Sequence, residues 1–269
     1  MRSVGLAVLA LVAASVLVQA QPPAPGLPAA APPATDPALD GHLAQWEAAM
    51  SKGTNFSAKF ELTRTTGGAL KQEHKYGGQF LCMKPNLARL SIGNLNPNKK
   101  NDFEAYICNG KSLFEYDWSA KKITEIPLAA GQGDNLMLDF LGGMTAKAAK
   151  QRFQISLFNP ADKNYVYFDI KPVLAKDKQE FEHIRFALFG PNVPAGITPY
   201  LPSQMYMLKP NGDSELWKFT DQTVDVKGIT PAVFQYEEPK EKGWLYEKAK
   251  IPMAPAGPAV PPKGGAVRP

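Results

Sequence analysis

The side chains that most often carry chemistry are few in this chain and stand far apart. Its 269 residues include three histidines, His42, His74 and His183, and two cysteines, Cys82 and Cys108. Neither a His-Glu-x-x-His pair nor a Gly-x-Ser-x-Gly stretch occurs, so neither a zinc protease nor a serine hydrolase is indicated. A site built from carboxylates would have to be assembled by folding alone. We therefore predict that the protein is not an enzyme and binds neither a metal ion nor a cofactor.

Neither a nucleotide nor a nucleic acid is the ligand that the sequence indicates. Gly110-Lys111-Ser112 matches the end of a phosphate-binding loop, but Ala105 stands where that motif requires its first glycine. A strand pattern then follows where the motif requires a helix. The chain carries 30 Lys and Arg against 25 Asp and Glu, without a basic block. We therefore expect no nucleic-acid partner.

The two ends of the chain differ in composition from its middle. After Met1-Arg2-Ser3, the apolar run from Val4 to Val18 is too short to span a bilayer comfortably and is typical of a signal peptide. We predict a signal peptide over 1–20, cleaved before Gln21, with an uncleaved membrane anchor as the alternative. A Pro/Ala-rich linker over 21–35, one folded domain over 36–251 and a disordered Pro/Gly/Ala-rich tail over 252–269 are predicted to follow.

The folded middle begins with a helix. Asp36 can cap it and Pro37 suits its first turn, while Gly53 is placed to end it. Between them, one apolar stripe recurs at helical spacing: Leu39, Leu43, Trp46 and Met50. The stripe predicts that one face of this helix packs on a core.

The period of the apolar residues then changes to two, which predicts strands. About ten such runs occur, over 56–62, 76–82, 87–92, 103–108, 112–116, 153–158, 165–170, 181–189, 204–208 and 216–219. Two short helices are predicted between them, over 135–141 and after Thr145, which can act as a cap. Strands and helices do not alternate, so dinucleotide-binding folds are disfavoured. The predicted fold class is mainly β with α (α+β), built on a large antiparallel sheet.

The alternation within strands predicts which aromatic side chains share a face. In the run 112–116, Glu115 marks the wet face, so Phe114 and Tyr116 are expected on the covered one. With one register for all strands, Phe60 and Phe80 join them. We predict that these four aromatic residues line one face of the sheet.

A second helical stretch is predicted to roof that face. Gly142-Gly143 bounds it, and its apolar residues have helical spacing. Together with the first helix it would form a lid closed by van der Waals packing. The predicted ligand-binding residues of sheet and lid are Leu43, Trp46, Met50, Phe60, Phe80, Phe114, Tyr116, Leu136, Met137, Phe140 and Leu141.

The cysteine pair leaves two alternatives open. A disulfide between Cys82 and Cys108 would stabilise an exported protein by about 3 kcal/mol. In a simple meander, however, the two residues lie on strands separated by a neighbour, roughly 9 to 10 Å apart and beyond disulfide reach. A bent strand would permit the bridge. Otherwise both are buried thiols.

Several stretches together resemble a known family in order and spacing. They are Phe56-Ser57-Ala58-Lys59-Phe60 after the Trp46 helix, Gly77-Gly78 before Lys84-Pro85-Asn86-Leu87, the hairpin from Cys108 to Asp117, and Val233-Phe234-Gln235-Tyr236. The sequence resembles the LolA family of periplasmic outer-membrane lipoprotein carriers, closest to an uncharacterised planctomycete-type branch. The resemblance implies a curved sheet forming an incomplete barrel, with about three helices across its concave face and an apolar cavity for acyl chains. The family's arginine before Pro-Asn helps hold the lid shut. Here that position is Lys84, which we expect on the lid rim, bonded to helix-end carbonyls.

These features lead to two functional hypotheses. The first is an exported, non-enzymatic carrier in the periplasm or cell envelope that holds acyl chains of a lipoprotein or lipid. Its partners would be that cargo, envelope donor and acceptor proteins, and a membrane surface touched peripherally. The second is a structural or sensing module of the envelope that uses the concave sheet to bind a protein segment. Co-purified lipid would favour the first hypothesis, and a filled interior without a cavity would favour the second.

Overall fold

A computed structural model describes residues 36–99, 102–128, 140–141, 144–158 and 162–249. The predicted lid residues Leu136 and Met137 lie outside the described residues. So do the predicted signal peptide, the linker and the C-terminal tail.

Three helices have complete bounds in the described part of the chain: α1 (Pro37–Ser51), α2 (Ala146–Arg152) and α3 (Ala175–Glu180). The Asp36 side chain accepts a hydrogen bond from the Ala38 amide at 2.9 Å, and Thr145 caps α2 in the same way, so both predicted caps are confirmed. Phe140 and Leu141 are also helical. Within the described ranges, no helix is both long and apolar enough to cross a membrane.

In the part of the chain that the structure describes, twelve strands form one sheet. They are β1 (Asn55–Thr65), β2 (Glu73–Met83), β3 (Leu87–Asn94), β4 (Phe103–Asn109), β5 (Ser112–Asp117), β6 (Lys122–Pro127), β7 (Phe153–Phe158), β8 (Tyr165–Pro172), β9 (His183–Phe189), β10 (Pro202–Leu208), β11 (Ser214–Val224) and β12 (Leu245–Lys248). All ten predicted strands are present. The strands β6 and β12 and the helix α3 were not predicted.

The sheet is open, with β12 at one end and β7 at the other. Its order is β12-β6-β5-β4-β3-β2-β1-β11-β10-β9-β8-β7, so β1 joins the two runs of strands by pairing with β2 and β11. Every pair is antiparallel except β12 with β6. The predicted fold class, a mainly β protein on an antiparallel sheet that does not close, is confirmed.

Both faces of the sheet carry a packed hydrophobic cluster. We call the side on which α1 lies the helix face; its core includes Phe56, Phe60, Phe80, Leu90, Phe168 and Phe186. The opposite side is the strap face, where a second cluster contains Ala105, Ile107, Phe114, Tyr116 and Ile123. This second cluster is covered by residues 230–248, the C-terminal strap, through Tyr236 and Trp244. The strap ends in β12 at the edge of the sheet.

The register places Glu115 on the helix face. Residues paired directly across neighbouring strands point to the same side of a sheet. Phe80 is opposite Leu90, Leu90 is opposite Tyr106, and Tyr106 is opposite Glu115. The carboxylate of Glu115 therefore lies on the same side as Phe80.

The predicted shared face is correct for Phe60 and Phe80 and wrong for Phe114 and Tyr116. The latter two lie on the strap face, in the cluster under the C-terminal strap. The prediction took the polar Glu115 as the mark of a solvent face. That rule fails because β5 is covered on both sides, so alternation reveals two faces without saying which one carries the helices.

Gly78 lets an aromatic ring lie close to β2 on the helix face. It is opposite Phe60 in the β1–β2 pair. A Cβ atom on Gly78 would come within 1.9 Å of the Ser91 carbonyl oxygen and 2.6 Å of the Phe60 ring. Glycine is therefore required here for the Phe60 ring to reach its place in the core.

Candidate functional site

Trp46 is the centre of the contact between α1 and the sheet. Its side chain is 1% exposed. The indole centroid lies 6.3 Å from that of Phe140, 6.5 Å from that of Phe168 on β8, and 6.0 Å from that of Phe186 on β9. Aromatic pairs at such separations add favourable edge and offset contacts to the burial of their surface. We call these four aromatic residues the lid core.

Phe140 connects the lid core to the edge of the sheet. Its ring stacks on Phe153 of β7 at 5.4 Å and lies 5.7 Å from Phe186. Leu141 beside it is fully buried in the same cluster. The predicted residues of that cluster are Leu43, Trp46, Met50, Phe60, Phe80, Phe140 and Leu141. That these residues bind a ligand remains a prediction.

The lid-core residues on β8 and β9 were not predicted as site residues. Phe168 and Phe186 alternate with less buried neighbours, which was enough to predict their strands. Alternation does not say which helix a strand face will meet. Their contact with Trp46 follows from the long-range pairing of β1 with β11, which brings both runs of strands under α1.

Polar contacts tie α1 to α2. The Glu47 carboxylate accepts a hydrogen bond from the Ala146 amide at 2.9 Å, and Lys150 Nζ lies 2.7 Å from Asp40 Oδ1. Glu47 thus meets an unpaired amide at the start of α2, where a negative charge is favourable. The Lys150–Asp40 pair is exposed and adds little stability. Two polar contacts therefore join α1 to α2.

Lys84 holds the end of α1. Its Nζ donates a hydrogen bond of 2.6 Å to the Ser51 carbonyl and a second one to the Gly53 carbonyl. A cation is favourable at this position because the last carbonyls of a helix carry partial negative charge. Contacts of Lys84 with the carbonyls at a helix end were expected, and these two are of that kind. Its role in holding a lid shut remains a prediction.

A further polar contact of α1 is a single hydrogen bond to Tyr200. His42 Nδ1 lies 3.2 Å from the hydroxyl of Tyr200, in the proline-rich segment before β10. Lysine binds as a point charge and lacks the planar fork of an arginine. The described polar contacts of α1 are thus made by side chains, and no strand pairing would break if α1 were lifted.

Another part of the helix face carries a charged cluster that was not predicted. Arg64 makes two hydrogen bonds to Glu104, of 2.6 and 3.0 Å, and its Nε lies 3.4 Å from Glu215. Lys209 Nζ donates to Glu215 at 2.7 Å, and the Tyr106 hydroxyl donates to Glu104 at 3.2 Å. The alternation of β1, continued past Leu62, would have placed Arg64 on this face; its partners come from strands distant in sequence.

Glu115 adds an acidic group beside this cluster. Burial raises the pKa of its carboxyl group, and the nearby Glu104 carboxylate adds to the effect. Burial also raises the pKa of Tyr106. Across the described ranges, no group of three or more His, Cys, Asp or Glu side chains is arranged to hold a metal ion. The cluster provides fixed charges and a carboxyl group that retains its proton to higher pH.

The two cysteines are buried thiols and are not joined by a disulfide. Ala88 on β3 is paired with Cys82 on one side and with Cys108 on the other, so one strand separates the two sulfurs. Cys82 Sγ donates a weak hydrogen bond to the Leu141 carbonyl at 3.8 Å. Burial raises the pKa of Cys82 to about 11. The structure therefore contains two buried thiols, which was the alternative to a disulfide.

Comparison with known proteins returns similarities at low identity. No family model and no curated protein matches the sequence. Among solved structures, the chain is similar to a LolA superfamily protein from Nitrosomonas europaea, at 11% identity over 74% of this chain and 97% of that one, with a TM-score of 0.40. It is similar to LprF from Mycobacterium bovis, at 11% identity over 73% and 98%, with a TM-score of 0.39. It is also similar to the MucA/MucB complex of Pseudomonas aeruginosa, at 12% identity over 74% and 61%, with a TM-score of 0.35. At these TM-scores, the description of the fold rests on the strand order and register given above.

Proposed function

We propose that the protein is an exported, non-enzymatic binding protein that holds a long acyl chain of a lipoprotein or lipid between its helices and the helix face. The observation that carries the proposal is the lid core. Trp46, Phe140 and Phe168 are each 1% exposed. The described contacts that attach α1 to the sheet are side-chain contacts, so lifting α1 exposes a continuous apolar surface while the strand ladder stays intact.

The energetics of such a ligand are adequate. Each buried methylene contributes about 0.8 kcal/mol, so about eight of them supply roughly 6 kcal/mol. This is comparable with the lower estimates of the cost of association, about 4 kcal/mol and above. The bound acyl chain would also replace the apolar contacts that the helices lose when they lift from the sheet. An acyl chain is the ligand class that matches a surface of Phe, Trp, Leu and Ile side chains.

The location and the partners form a further part of the proposal. The apolar run from Val4 to Val18 favours export to the periplasm or cell envelope. In that compartment an acylated lipoprotein or a lipid would be the cargo, with envelope donor and acceptor proteins at either end of transfer. The acyl chains need shielding there because water separates the two membranes.

A second candidate function, a module that binds a protein segment, is favoured by two observations. The lid core is filled with buried side chains, as this hypothesis expects, and the edge strand β7 is unprotected. Within the described ranges, β7 pairs with β8 alone. Its sequence, Phe-Gln-Ile-Ser-Leu-Phe, carries neither a charge nor a proline, the devices that usually protect a sheet edge. By contrast, β12 at the other edge contains Glu247 and Lys248. An extended peptide could pair with β7 as an additional strand.

The deciding experiment is mass spectrometry of an organic extract from protein purified out of its native envelope. Acylated lipid or lipoprotein fragments in stoichiometric amount are expected. A co-purified peptide without lipid would instead support the protein-binding function. Preparations that contain neither would contradict both.

A binding measurement tests the place of the ligand. Phe140→Asp puts a charge into the lid core and should weaken the binding of a pyrene-labelled acyl ester at least tenfold. The matched control is Phe158→Asp, because Phe158 is 36% exposed and lies on the strap face. The strand signal in circular dichroism must persist in both variants. Equal binding by Phe140→Asp and the parent would exclude the lid core as the site.

A further inference from the structure

The lid core contains a polar atom with no partner. In the described part of the chain, three buried side-chain nitrogens lack a hydrogen bond: Trp46 Nε1, Arg64 Nε and Trp244 Nε1. Arg64 Nε lies 3.4 Å from Glu215, and Trp244 belongs to the C-terminal strap, with its side chain only half-buried. Trp46 differs from both because its whole side chain is withdrawn from water. A buried donor without an acceptor is rare and requires an explanation.

An ordered water is a poor partner for this donor. A buried water needs two or more polar neighbours to keep most of its own hydrogen bonds. The rings around Trp46 belong to Phe140, Phe168 and Phe186, which offer none. The two acidic side chains of α1 have partners of their own, Glu47 at the Ala146 amide and Asp40 at Lys150, and His42 contacts the Tyr200 hydroxyl. The described ring contacts of the indole therefore offer its N–H no acceptor.

We propose that Trp46 Nε1 donates a hydrogen bond to the carbonyl oxygen of the ligand's acyl ester or amide linkage. This inference rests on the proposed function, since the ligand must first enter the lid core. A bound acyl chain would lie on Phe168 and Phe186, and its carbonyl group would be the acceptor that the indole lacks. Trp46 is then a specificity-determining residue, which distinguishes an acyl derivative from a plain hydrocarbon.

The same surroundings select an uncharged carbonyl over a carboxylate. Burying an ionised carboxylate without a cation is far more costly than burying an ester. The two basic side chains in the last turn of α2 are already paired, Lys150 with Asp40 and Arg152 with Asp177. The preferred ligand class is therefore an acyl ester or amide, as in a lipidated protein or a glycerolipid, and not a free fatty acid.

The predicted preference for an acyl ester is tested by competition against the pyrene-labelled ester. Three probes are used: methyl decanoate, dodecane and sodium decanoate. The parent protein should bind methyl decanoate about fivefold to tenfold more tightly than dodecane, the value of one hydrogen bond to a buried donor. Sodium decanoate at neutral pH should bind no more tightly than dodecane. In Trp46→Phe the preference for the ester over the alkane should disappear. In the matched control Trp118→Phe, which removes an indole from the strap-face cluster, it should persist.

A spectroscopic readout keeps the inference testable if Trp46→Phe fails to fold. The chain has four tryptophans, which give four indole N–H signals in a nitrogen–proton correlation spectrum. One of them should move downfield with methyl decanoate and stay in place with dodecane. That signal should persist in Trp118→Phe, Trp217→Phe and Trp244→Phe, which assigns it to Trp46 by elimination.

The outcomes separate the two proposals. If none of the probes binds, the acyl-binding function itself is wrong. If methyl decanoate and dodecane bind equally well and shift the same signals, acyl binding stands and the role of Trp46 is overturned. Tighter binding of decanoate than of the ester would likewise overturn it, because it would require a cation where the structure places an indole.

Discussion

At the scale of single residues, the half-buried Glu115 on the helix face makes the stability of the fold depend on pH. Burial, with the Glu104 carboxylate as a second cause, raises the pKa of Glu115 above its ordinary value. Between its unfolded and folded pKa values, this carboxyl binds more protons in the folded state. Stability is therefore greatest below the unfolded pKa and falls as the pH rises towards the folded one.

Replacing Glu115 by Gln should stabilise the protein at neutral pH, because the amide resembles the protonated carboxyl and removes the cost of ionising it. The gain should shrink as the pH falls below the ordinary pKa of 4.5. Thermal unfolding across this range is the measurement. Glu61→Gln is the control, since Glu61 is exposed on the strap face. A gain in melting temperature that is the same at every pH would contradict this account.

At the scale of elements, the C-terminal strap is a cover for hydrophobic surface. Its Phe234 is fully buried, and Tyr236 lies 5.1 Å from Phe114. The Tyr116 hydroxyl donates to the Glu237 carbonyl at 3.0 Å and accepts from the Glu237 amide at 3.2 Å. The strap thereby protects the strap face of β4, β5 and β6 from water. Without it, this part of the sheet would expose a large apolar patch.

Replacing Phe234 by Ala should lower the free energy of unfolding by about 3 kcal/mol, the usual cost of truncating a fully buried phenylalanine. Urea denaturation measures this loss, and the fluorescence of Trp118 and Trp244 reports the loosening of the strap because their rings are 4.7 Å apart. Leu245→Ala is the matched control in the same strap. Leu245 is 55% exposed, so the expected change is within about 0.5 kcal/mol. Equal losses in both variants would mean that the strap is not held by burial.

At the scale of the whole molecule, export is the condition for the proposed function. Val18 and Ala20 occupy the two positions that a signal peptidase reads, directly before Gln21. N-terminal sequencing of protein from the native host should therefore begin at Gln21. Ala20→Trp should block cleavage and leave the protein in the membrane fraction. A parent protein that begins at Met1 would show that the apolar run stays attached.

Some elements could be predicted because their signals are local. The cap at Asp36 followed by Pro37, and the cap at Thr145, are decided within a few residues of backbone. The Asn109-Gly110 and Asn211-Gly212 turns are also local, because glycine readily adopts the positive φ that Gly110 and Gly212 have in the structure. The strand β12 gave no such signal, because all four of its residues are exposed and their pairing with β6 is supplied by the strap.

By itself, the sequence determined α1 and α2, ten of the strands and the separation of Cys82 from Cys108 by one strand, since helical period, alternation and chain order are properties of neighbouring residues. The tertiary structure alone decided which face each strand turns towards the helices. Phe80 came to lie under α1 and Phe114 under the C-terminal strap. It also decided that Trp46 would meet Phe168 and Phe186, and that its N–H would have no partner. The physical reason is that alternation divides a strand into two faces without naming them, and the choice between them is made by elements that arrive from elsewhere in the chain.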